Sequence, residues 1–114
     1  MMQIQIIGYL GNDAEIKVSA ANGHKYIQMN VATSERRKDR NGAVVDETTW
    51  VTVIWHNAEN NPVFPYLRKG KQVFVSGSGR VEPFVDKSNY ARVSTTINAN
   101  VVQLLGKAEE GATR

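Results

Sequence analysis

Apolar and polar residues alternate with a period of two through most of this chain, and that pattern admits strands while leaving little room for helix. Ile4 and Ile6 alternate with Gln3 and Gln5, Ile16 and Val18 with Glu15 and Lys17, and Ile27, Met29 and Val31 with Gln28 and Asn30. The run TTWVTVIW (48–55) is β-branched and aromatic throughout. QVFVSGSGRV (72–81) carries Gly77 and Gly79 inside a strand pattern, a sign of bending or close backbone approach. In the last run Val93, Thr95, Ile97, Ala99 and Val101 share a face. Phe74 reads as core, and Phe64 and Tyr66 as packing beside prolines. Asn22-Gly23 and Asn41-Gly42 are turn signals, the second between two strand-like runs and so a hairpin. AENNPVFPYLRKG (58–70) is the one helical candidate, with Asn61 as cap, Pro62 at the first helical position and Gly70 as stop. Pro65 limits it to a short or irregular helix.

Five or six bent strands, long hairpins and one short helix fit a small closed barrel, best an all-β, five-stranded oligonucleotide/oligosaccharide-binding (OB) barrel. Residues 1–106 are expected to form one domain and residues 107–114, KAEEGATR, a flexible tail. With no cysteine, disulfides and thiolate metal sites are excluded. MMQIQIIGYLG lacks the basic and long apolar segments of a signal peptide or membrane span, so the expected address is the cytoplasm, nucleoid-associated.

No motif for catalysis, cofactor or metal binding stands out: there is no Gly-x-Ser-x-Gly, phosphate loop or His-Glu-x-x-His, and the two histidines, His24 and His56, are far apart in sequence. Binding has more support. Arg36, Arg37, Lys38 and Arg40 crowd before Asn41-Gly42, and Arg68, Lys69 and Lys71 form a second group. Such charge is either a solvated face or a polyanion site. A single strand is held by a basic groove together with rings on which bases stack. The candidate rings are Trp50, Trp55, Phe84, Tyr26 and Tyr90, interleaved with Arg36, Arg37, Lys38, Lys71, Arg80, Lys87 and Arg92. For each ring the alternative is core packing. Phe84 and Tyr90 bracket the polar VDKSN loop, a poor place for core residues.

The order IIGYLGNDAEIK, VATSERRKDRNG, TTW, YLRKGKQVFVSG and RVEPFVDKS resembles the bacterial single-stranded DNA-binding proteins, over roughly residues 4 to 106. The resemblance implies an OB barrel, usually a homotetramer, that coats single strands in replication, recombination and repair. It assigns stacking roles to Trp50 and Phe84. Arg37 stands where the family often has an aromatic, and a guanidinium both stacks and pairs with phosphate. The family's second ring on the central strand lies six residues after the first, whereas Trp55 lies five after Trp50 and position 56 is a histidine. In a regular strand Trp50 and Trp55 face opposite ways. Either a bulge returns Trp55 to the binding face or His56 takes the role.

The family's acidic C-terminal tip has no counterpart in KAEEGATR, so no tail-mediated recruitment of repair enzymes is expected from this short form. A tetramer, or failing that a dimer, is expected to pair through the Gln3 to Ile7 strand. The rival readings are a primosome-type barrel bridging single strands and replication proteins, and a barrel that binds protein or sugar.

Overall fold

The computed structural model describes residues 1–106, so the expected tail lies outside the described residues. Six strands follow in order: β1 (Gln3–Leu10), β2 (Glu15–Val18), β3 (Lys25–Lys38), β4 (Val44–Trp55), β5 (Gln72–Val85) and β6 (Ala91–Leu104). They form one sheet in the order β1-β5-β6-β4-β3-β2, closed by a further contact of β1 with β3. Gln3 to Tyr9 pairs with Ser78 to Gln72 of β5, and the strand then bends so that Tyr9 and Leu10 meet Ala32 and Val31 of β3. Gly8 sits at this crossing, where a Cβ would collide with the Ala32 carbonyl oxygen. Beyond the bend, β2 continues along β3, Glu15 to Val18 opposite Gln28 to Lys25. β1 and β2 thus act as one broken first strand. The result is the five-stranded barrel that the alternation implied, with β4 and β6 in parallel across Val51–Ile54 and Thr95–Asn98.

The inward set of each strand fills the barrel: Ile27, Met29 and Val31, then Val51, Val53 and Trp55, then Val73 and Val75, then Ile97, with Leu67 added from the β4–β5 loop. Several expectations from the pattern are corrected. Phe74 lies between the inward Val73 and Val75 and so points outward, half-buried. Tyr66 is largely exposed, while Phe64 does pack on the core. β2 is exposed at all four residues because it lies at the end of the sheet order. In β6 the face switches: Ser76 opposes Val101 but Gly77 opposes Ala99, leaving Asn100 as an extra residue. This bulge turns Val102 inward in place of Val101.

The short helix shrinks to one 3-10 turn, Phe64–Tyr66. Asn61 and Pro62 fall short of the expected cap and first helical position: Val63 stands at the N-cap with no side-chain cap, and Asn61 instead braces the approach, accepting from the Val63 N–H at 2.8 Å and donating to the Asn57 carbonyl at 2.5 Å. Pro65 within the turn stops it from lengthening.

Two ribbons run past the barrel wall. The first arm is the β3–β4 hairpin beyond Thr33 and Thr49, and the second is the β5–β6 hairpin beyond Arg80 and Thr96; nearly every residue on either arm is exposed. They raise the radius of gyration to 15.9 Å, against about 13 Å for a compact chain of this size.

Candidate nucleic-acid interface

The two tryptophans separate by the parity of β4. The β3–β4 register runs without interruption from Ile27↔Trp55 to Lys38↔Val44, so no bulge intervenes. Trp55 accordingly turns inward and is 9% exposed, whereas Trp50 turns outward and is 58% exposed. Trp55 is therefore a core residue, and its expected place on a binding face is corrected. Trp50 lies over Gly11, where any Cβ would run into indole atoms Cζ3 and Cη2. The Gly11 N–H donates to Asn30 O at 2.9 Å, which fixes the seat of the ring to β3. Thr52, Ile54 and His56 follow Trp50 on the outward side. His56 is exposed and meets the Tyr26 ring at a centroid distance of 6.0 Å, tilted by 54°.

Cross-strand partners share a face, so Arg36↔Asp46 and Lys38↔Val44 lie on the Trp50 side of the first arm, and Arg37↔Val45 on the other. The basic cluster does not stand alone. Arg36 pairs with Asp46 at 3.2 Å and Arg37 with Glu47 at 2.6 Å. Asp39 accepts the N–H groups of Asn41 (2.8 Å) and Ala43 (2.9 Å) and so builds the turn. Arg36, Arg37, Lys38 and Arg40 are matched by Glu35, Asp39, Asp46 and Glu47, and the arm from Thr33 to Thr49 has no formal charge. Lys38 and Arg40 make no ion pair among the described residues. The neutralising acids were missed in the sequence, although Asp46 and Glu47 follow Asn41-Gly42 closely enough for a hairpin to fold them back onto Arg36 and Arg37.

On the second arm Phe84 is 47% and Tyr90 65% exposed. One face carries Arg80↔Thr96, Glu82↔Ser94 and Phe84↔Arg92; Lys87 projects from the turn. Arg92 is bound to Asp86 at 2.7 Å. That guanidinium, with the N–H groups of Tyr90 and Ser88, holds the Asp86 carboxyl below its ordinary pKa.

The remaining cations gather elsewhere. Asp13 accepts from the Lys69 N–H at 2.8 Å and from Arg68 at 3.2 Å, which lowers its pKa and ties the β4–β5 loop to the barrel. Lys71, half-buried, leads into β5 beside that loop. No group of three or more potential metal ligands occurs among the described residues, and no described helix is long and apolar enough to cross a membrane.

A closed five-stranded barrel with two arms, an outward tryptophan on β4 and exposed rings on the distal arm accords with the single-strand binding protein family, whose model matches residues 1–105. The chain belongs to that family. The single-stranded DNA-binding protein of Xanthomonas axonopodis pv. citri is 35% identical over 109 residues, covering 96% of this chain and 60% of the relative. Single-stranded DNA-binding protein 1 of Xylella fastidiosa strain 9a5c is 32% identical, covering 95% and 79%. The chain thus spans about three fifths to four fifths of the length of these relatives. Among solved structures, Plasmodium falciparum SSB in complex with ssDNA superposes with a TM-score of 0.69 at 25% identity, covering 93% of this chain and 96% of that one. A small single-stranded DNA-binding protein from Streptomyces coelicolor shares the fold, with a TM-score of 0.69 at 24% identity and coverage of 90% and 93%.

Proposed function

We propose that this protein binds single-stranded DNA with little sequence preference and protects it during replication, recombination and repair. One observation carries the reading: Trp50, more than half exposed on the outer barrel wall, is seated over Gly11 with Arg36 and Lys38 on its own face. Bases stack on Trp50 and on Phe84 and Tyr90. Phosphates are met by Lys38, Arg40, Arg80, Lys87 and Arg92, with Lys71 at the loop, and by Arg36 when its pair with Asp46 opens. Arg37, on the opposite face and held by Glu47, contributes when that pair opens. Family membership and the relatives' names support this reading, and so does the strand-bound state of the Plasmodium protein. The role is binding without catalysis, in the cytoplasm at the nucleoid.

The barrel also has an edge to offer. Gln3 to Gly8 pairs with β5 alone, and Ile7 and Tyr9 are more than half exposed on its outer side. Pairing of this edge with a second copy would build a dimer and then a tetramer. Light scattering at micromolar concentration is expected to show a tetramer or dimer; a strict monomer removes this part of the reading.

The test of binding is Trp50→Ala titrated with a dT oligomer. Loss of one stacked base weakens binding by about 1–3 kcal/mol, and the wild-type tryptophan fluorescence falls as DNA binds. Unchanged affinity in a folded variant would end the stacking role. Binding that ignores salt would argue for an uncharged ligand such as a sugar.

A further inference from the structure

The chain has only two histidines, and the fold brings both to one place. His24 and His56 line a pocket of roughly 330 Å³ together with Gly23, Lys25 and Glu59. His24 is fixed by the β2–β3 turn: its N–H donates to Asn22 Oδ1 at 2.9 Å, and its carbonyl accepts from the Ser19 N–H at 2.8 Å. His56 stands one residue past β4, on the outward side that carries Trp50. Six residues of strand, at about 3.3 Å each, put the pocket roughly 20 Å from that ring along the same strip. Both imidazoles are exposed, and neither makes a side-chain hydrogen bond or ion pair among the described residues.

We propose that this pocket is a phosphate subsite for the backbone of a strand that stacks on Trp50, with the phosphate held by Lys25 and the two imidazoles. The proposal rests on the single-strand binding reading. The charged and titratable groups that face it are Lys25 and Tyr26 from β3 and Glu59 from the β4–β5 loop. Lys17, opposite Tyr26 on β2, is engaged with Glu15 at 3.7 Å. Lys25 and Glu59 cancel in formal charge, so the two imidazoles decide the pocket's pull on an anion. Imidazoles gain charge between pH 8 and pH 5, where carboxylates ordinarily stay ionised and a phosphodiester stays anionic. The strand should therefore bind more tightly as pH falls.

Affinity for a dT oligomer is measured at pH 6, 7 and 8 at fixed ionic strength, for wild type, His24→Gln, His56→Gln and the double variant. Wild type should tighten roughly tenfold from pH 8 to pH 6, the ordinary worth of a hydrogen bond to a charged group. Its log K against log salt should steepen by about 0.7 for each phosphate newly neutralised. Each single variant should lose part of the response, and the double variant should be flat. Because the α-amino group is intact in the double variant, any contribution from it would remain there. Lys25→Gln should weaken binding at every pH. A wild type that binds but does not respond to pH, or a double variant that responds as wild type does, overturns the pocket and leaves the Trp50 strip standing. A wild type that binds no single strand at any pH overturns both.

Discussion

The two arms end in the same turn and differ in what they carry. In each, an aspartate at the first turn position receives the N–H groups two and four residues ahead on Oδ1: Asn41 and Ala43 on Asp39, Ser88 and Tyr90 on Asp86. In each, the N–H of that aspartate donates to the carbonyl four residues ahead, and its own carbonyl accepts from the residue three ahead. That residue has positive φ, Gly42 at 82° and Asn89 at 69°. Each turn also projects one base, Arg40 or Lys87. Above the turn the likeness stops. The first arm has no aromatic beyond its root at Trp50, and its arginines face acids across the hairpin. The second has Phe84 and Tyr90 exposed, and Arg80, Lys87 and Arg92 outnumber Glu82 and Asp86. A conspicuous run of positive charge is thus the electrically neutral arm, and the less conspicuous arm combines rings with net charge. Charge density along a sequence and charge on a surface differ once a hairpin folds acids back onto bases.

If the second arm grips bases and the first only tunes charge, the largest effect should come from the rings. Phe84→Ala and Tyr90→Ala together should weaken binding to a dT oligomer by roughly 1–3 kcal/mol for each base that loses its platform. Neither ring is buried, so thermal stability should hardly change. A double variant that binds as wild type does would erase the distinction between the arms.

The first arm gives a smaller and salt-dependent effect. Each phosphate of a single strand that a variant no longer neutralises reduces the slope of log K against log salt by about 0.7. Changing Arg36, Arg37, Lys38 and Arg40 to glutamine should lower it by roughly 1.4, the share of the two unpaired bases Lys38 and Arg40. A fall near ~2.8, four phosphates on the same rule, would show that DNA pulls both arginines from their acids. The companion variant Asp46→Asn with Glu47→Gln should tighten binding at low salt, because it releases Arg36 and Arg37. If it weakens binding instead, those acids serve to aim the arginines rather than to hold them back.

Alternation was enough to place the strands, and the spacing of Trp50 and Trp55 already put one of them inside. That the inward one is Trp55 required the register of β4 with β3, which the Asn41-Gly42 turn sets. What stayed hidden depended on contacts distant in sequence. Asn100 bulges because of its pairing with Ser76 and Gly77, and nothing within β6 announces it. Gly11 looks like a turn glycine until Trp50, from another strand, is laid over it. Phe74 reads as core in isolation, yet both of its neighbours are the inward residues. His24 and His56 look ordinary until the β2–β3 turn and the end of β4 meet. The helix was half legible: the prolines left only one turn, but Asn61 lies two residues ahead of the cap position and braces the chain there instead of capping it.

The smallest expected effect separates the two turns themselves. Asp86 differs from Asp39 in having an arginine, Arg92, on its second oxygen at 2.7 Å. Arg92 first, then the Tyr90 and Ser88 N–H groups, holds its carboxyl below the ordinary value. A carboxyl with its pKa depressed by folding stabilises the folded turn above the unfolded pKa, near ~3.9, and this support is lost as pH falls through the lower, folded value. The second turn should therefore be unaffected between pH 5 and pH 8 and loosen only in stronger acid. Removing the charge by Asp86→Asn at pH 7 should loosen it likewise, seen as raised mobility of the Ser88 and Tyr90 amides in NMR relaxation. Asp39→Asn should disturb the Asn41 and Ala43 amides less, since no arginine bond goes with the charge. The unfolding midpoint should barely move in either variant, because both aspartates lie on exposed ribbon outside the barrel core. Equal loosening of the two turns would mean that the backbone N–H bonds alone set their order and that Arg92 is free to meet a phosphate at little cost.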